Sequence, residues 1–141
     1  MGGSPLASTL SAYSKPGGEG PGPSLSRLAQ LDKNDKPVLI YSTFPSPAEA
    51  ERIGGELVDR GLAACVNIFP GMTAIYIWEG KRQREAETAM IIKTRAKLAD
   101  TAIAEARKLH PYTNPALVVL PVVGGSDDFL RWIAEQTAKP Q

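Results

Sequence analysis

One imidazole, His110, one thiol, Cys65, and the internal thioethers Met72 and Met90 are the soft or borderline donors of this 141-residue chain, with Met1 besides. Donors of these kinds suit copper and some other divalent ions. His110 and Cys65 are therefore candidate ligands for a weakly held Cu²⁺ or another divalent cation. Each also has a structural reading. His110 stands directly before Pro111, where a helix has to end, and a histidine there can hydrogen-bond the last carbonyls. Cys65 lies among Ala63, Ala64 and Val66, and free cysteine is among the most buried residue types. A reactive thiol needs exposure and a lowered pKa, and Cys65 has no Lys, Arg or His as a sequence neighbour.

Tyr76, Trp78, Glu79, Lys93 and Tyr112 form a second group, at strand ends and near a hairpin turn. Aromatics with a few charges at a subunit boundary could line a ligand cleft. The same aromatics could be interface packing, with Glu79 and Lys93 as a supporting ion pair. Catalytic patterns are missing. The sequence carries no CxxC, HExxH, phosphate loop or paired-carboxylate signature, and a Cys-His pair would lack an orienting acid. A non-enzymatic role is expected.

Charge excludes further classes. Sixteen basic and fifteen acidic residues give a net charge of +1, without the basic excess of a nucleic-acid binder. No stretch approaches the roughly 18 apolar residues of a membrane helix, so a soluble protein is expected. The single cysteine cannot form an intrachain disulfide, which suggests a reducing, cytoplasmic setting.

These residues need elements to position them. Val38–Phe44 is a short run rich in strand formers. Ser46-Pro47-Ala48-Glu49 reads as a capped helix start, followed by Ala50, Ile53, Leu57 and Val58 at helical spacing, with Gly61 as a stop. Gly54 and Gly55 weaken that helix by about 1 kcal/mol each relative to Ala, which suggests close packing on a sheet. A second strand spans about 63–78, with Pro70-Gly71 as a bulge or bend. Its distal part is largely apolar on both faces: Met72, Ala74, Tyr76 and Trp78 on one, Thr73, Ile75 and Ile77 on the other. A partner subunit is expected to cover such an arm. Glu79-Gly80 is a two-residue turn, and 82–94 is a strand that changes from RQREAE to AMII. Lys97–Leu109 is a helix. Leu117–Val123 is an edge or bulged strand because it contains Pro121. A last helix carries Phe129, Leu130, Trp132 and Ile133. The order βαββαβ plus a terminal helix gives an α+β, ferredoxin-like sandwich. Residues 1–36 hold sixteen Gly, Pro or Ser and read as a disordered tail, leaving 37–141 as the folded domain. Leu25, Leu28 and Leu31 have helical spacing, as a transient turn or a docking segment.

The segments GLAACVNIFPG, IYIWEGK, IIKT, HPY and LPVVGG, in this order and spacing, resemble the CutA divalent-cation tolerance proteins. The likeness runs from about Val38 to Ile133. It implies a ferredoxin-like homotrimer, similar in architecture to the PII signalling proteins, and a role in tolerance to copper and other divalent ions. Copper-binding members have soft ligands at the positions of Ser42, Leu109 and His110, of which only His110 is a ligand type here. The resemblance leaves two readings: a metal-binding tolerance protein, or a PII-like scaffold that binds a metabolite or a partner at its clefts.

Overall fold

The computed structural model describes residues 35–137. Its elements are β1 (Pro37–Phe44), α1 (Pro47–Asp59), β2 (Cys65–Trp78), β3 (Lys81–Arg95), α2 (Ala96–Leu109), β4 (Leu117–Pro121) and α3 (Asp127–Gln136). The Leu25–Leu31 segment lies outside the described residues. The strands form one sheet in the order β2-β3-β1-β4, antiparallel throughout. The fold is the expected α+β arrangement.

Strand alternation sorts the sheet into two faces. Val38, Ile40, Ser42 and Phe44 of β1 are buried alternately with half-buried neighbours. Val38, Ile40 and Phe44 meet Met90 and Ile92 of β3, Ile53 and Leu57 of α1, and Leu98, Ala102 and Ala106 of α2 in one core. The opposite face carries Leu39, Tyr41, Ile91, Lys93 and Cys65, paired by register. α3 packs on β3 and β1 there, with the Lys93 ammonium 5.0 Å from the Phe129 ring centroid.

Local chemistry accounts for the element ends. Ser46 accepts the backbone N–H of Glu49 and Pro47 opens α1. Of the two helical glycines, only Gly54 is required by packing. A Cβ there would lie 2.8 Å from Val66 Cγ2 and 2.9 Å from Met90 Sδ, whereas one at Gly55 meets nothing within 4 Å. The ladder of β2 on β3 shifts register between Phe69 and Met72, at Pro70-Gly71. Glu79 and Gly80 both have positive φ, 50° and 79°, as a tight hairpin turn demands. β4 ends at Pro121 rather than running on to Val123, because proline removes a ladder donor.

The entry to the domain lies slightly earlier than composition suggests. Arg95 at the start of α2 makes no side-chain cap. Asp35 supplies one instead, accepting the Lys97 N–H at 2.8 Å and pairing with the Arg95 guanidinium. Lys36 O accepts the Ala96 N–H. Arg95 also donates from Nε and Nη2 to the carbonyl of Thr137, just past α3. One guanidinium thus ties the residues before β1 to the end of the terminal helix.

Candidate functional site

His110 closes α2 at the edge of the core, stacked on Phe44 at 4.6 Å between centroids. Nε2 lies 2.8 Å from the carbonyl oxygen of Thr43, and Nδ1 accepts the Tyr112 backbone N–H at 3.0 Å. A carbonyl can only accept and an N–H can only donate, so the ring is neutral with its proton on Nε2. Burial pushes its pKa below the usual histidine range, opposed by the Thr43 hydrogen bond. Both nitrogens are therefore engaged within one protomer.

Cys65 does not join His110. It faces the other side of the sheet, opposite Lys93 in the β2–β3 ladder, and is buried. Burial raises its pKa and Lys93 only partly offsets that, so the thiol stays protonated. Met90 is fully buried, and Met72 Sδ accepts a long contact from the Tyr41 hydroxyl. Among the described residues no group of three or more His, Cys, Asp or Glu is placed to hold a metal ion. Ser42, where the resemblance led a soft ligand to be sought, donates to the carbonyl of Ala116 at 2.6 Å.

The second predicted group divides. Tyr76, Trp78 and Tyr112 line an open cleft of about 790 Å³. Glu79 sits in the turn at the arm tip, outside that lining. Lys93 lies at the far end of β3, under Phe129. Glu79 and Lys93 are thus at opposite ends of the hairpin and do not pair.

Gln83, Glu85 and Glu87 also line the cleft, and the sequence reading did not single them out. The Tyr76 hydroxyl donates to Glu85 Oε1 at 2.6 Å, and the Tyr112 hydroxyl to Glu87 Oε2 at 2.7 Å. Both phenol pKa values rise, Tyr76 mainly through its bond to Glu85 and Tyr112 mainly through burial. Two signals were available. Odd positions of RQREAE share one strand face, and a two-residue turn at Glu79-Gly80 puts Tyr76 opposite Gln83.

The CutA1 divalent ion tolerance protein model matches residues 38–136. The chain belongs to this family. Two plant CutA proteins, named chloroplastic, are similar: one from Arabidopsis thaliana, 36% identical over 111 residues, and one from Oryza sativa, 39% over 112. Each match covers 79% of this chain, which spans 61% and 63% of the plant relatives' lengths. Among solved structures, the periplasmic divalent cation tolerance protein CutA from Archaeoglobus fulgidus is 42% identical with a TM-score of 0.69. That match covers 72% of this chain and 98% of the other.

These CutA relatives also correct the cytoplasmic placement expected from the lone cysteine. They are named for a chloroplast and a periplasm. The physical reason is simple: a fold with one buried thiol and no disulfide has nothing for the redox poise of a compartment to act on. Among the described residues no helix is long and apolar enough to cross a membrane.

Proposed function

We propose that this chain works as a homotrimer that binds divalent cations, Cu²⁺ among them, weakly and without catalysis. The observation that carries the trimer is the β2–β3 arm. Ile75, Ile77 and Trp78 are 55%, 66% and 63% exposed on its two faces, more apolar surface than a lone protomer keeps in water. Cyclic closure would cover it. The family supports the cation. His110 supplies one neutral imidazole per chain, and it must release Thr43 or Tyr112 to ligate, so the affinity is low. Because its pKa is lowered, proton competition sets in only below the ordinary histidine range. Copper titration of the wild type and His110→Ala at neutral pH tests the site, with light scattering to read the mass. Equal binding by both proteins would remove His110 as a ligand, and a monomer at micromolar concentration would remove the trimer.

The cleft supports a second reading, a PII-like scaffold that takes a small ligand. Its volume falls in the range of small-molecule sites, and its walls combine aromatic rings with polar groups. A melting shift produced by a metabolite without metal, and lost in Tyr112→Ala, would favour it.

A further inference from the structure

Two carboxylates, Glu85 and Glu87, face the cleft, and no Lys or Arg is among its described lining residues. Lys81, opposite Trp78 beside the turn, lies outside the lining. Each carboxylate accepts one tyrosine hydroxyl and retains its other oxygen. Residues two apart on a strand face stand about 6.6 Å apart, too far for one small ion to bridge without further ligands. No third acidic or imidazole group converges on them among the described residues. A phosphate or carboxylate ligand would meet two like charges without a base. The walls beside the carboxylates are aromatic: Tyr76 on the same sheet face, bonded to Glu85, and Tyr112 across the cleft, bonded to Glu87. Aromatic faces beside carboxylates favour an organic cation with an apolar stem.

We propose that the cleft binds an aliphatic diamine. One ammonium group sits on Glu85 and the other on Glu87, and the methylene stem lies against the rings of Tyr76 and Tyr112, whose hydroxyls already meet those carboxylates. This rests on the small-ligand reading of the cleft and names its ligand class.

The test uses the full chain and 1,4-diaminobutane, doubly charged at neutral pH because aliphatic amines titrate near ~10.4. Binding is read by calorimetry and melting shift at low salt. 1,4-Butanediol is the uncharged control of the same stem, MgCl₂ the inorganic dication and ATP the anion. The diamine should bind, the diol should not, and Glu85→Gln or Glu87→Gln should each weaken the diamine about tenfold. Both carboxylates are at the surface end of β3, so these isosteric changes leave the core intact. Magnesium binding as tight as the diamine's, or a diamine affinity unchanged in both variants, would overturn the proposal. So would a change of mass in either variant, which would make the cleft a contact between copies. A shift with ATP but none with the diamine would overturn the diamine and leave the small-ligand reading standing. No shift with any probe would overturn both.

Discussion

The Nδ1 of His110 accepts the backbone N–H of Tyr112 at 3.0 Å, and this bond sets where the Tyr112 side chain goes. From that position its hydroxyl reaches Glu87 across the cleft. The histidine is thereby coupled to the cleft through backbone geometry. Protonating Nδ1 would place two N–H groups against each other.

The direction of a pH effect follows. Burial lowers the His110 pKa in the folded chain, so the unfolded chain binds the proton more readily. The stabilisation from neutral His110 is full above the unfolded value, near ~6.5, and is lost as pH falls from there toward the folded pKa. The melting temperature should decline through that window in the wild type and be flatter in His110→Gln. Parallel curves for the two proteins would show that another group titrates there.

Truncating the arm should separate assembly from folding. Trp78 is largely exposed in the protomer, so Trp78→Ala removes little from the core. A buried interface aromatic is commonly worth about 2–4 kcal/mol. Dissociation on dilution, with native far-ultraviolet dichroism, is the expected result. An intact trimer at nanomolar concentration would refute the placement.

The edge of the domain is sharp at one residue. Removing residues 1–34 should leave the melting temperature unchanged, since their composition cannot support a core. Removing Asp35 as well, or Asp35→Ala alone, deletes the cap of α2 and the partner of Arg95. Loss of a capping side chain costs about 0.5–2 kcal/mol. Chemical denaturation of the two truncations compares them directly, and equal stabilities would contradict the capping role.

Two adjacent glycines should respond with opposite signs. Gly55→Ala adds a methyl group in open space and should stabilise α1 by about 0.5–1 kcal/mol. Gly54→Ala drives a Cβ into Val66 and Met90 and should cost about 1–3 kcal/mol through overpacking. Urea midpoints of both variants decide this, and a stabilising Gly54→Ala would show that α1 can lift off the sheet.

Features governed by nearest neighbours were legible in the chain. Ser46 with Glu49, Pro70-Gly71, Glu79-Gly80 and the two-sided alternation of 72–78 each specify a cap, a bulge, a turn and an arm. The reason is that dihedral limits and side-chain periodicity act over a few residues. Residue type does not tell whether the two candidate ligands meet: Cys65 and His110 fall on opposite sides of the sheet, and strand register places Cys65 opposite Lys93. The Glu79–Lys93 pair does not form either, since the length of β3 keeps its ends apart. Only the tertiary structure brings Tyr112, from the loop after α2, over Glu87 on β3. The sequence alone shows Glu85 and Glu87 as part of a polar half-strand. They become a charged cleft when hairpin register sets Tyr76 beside them and the His110 bond turns Tyr112 toward them. Such contacts depend on how strands and loops distant in the chain pack together, which no local propensity encodes.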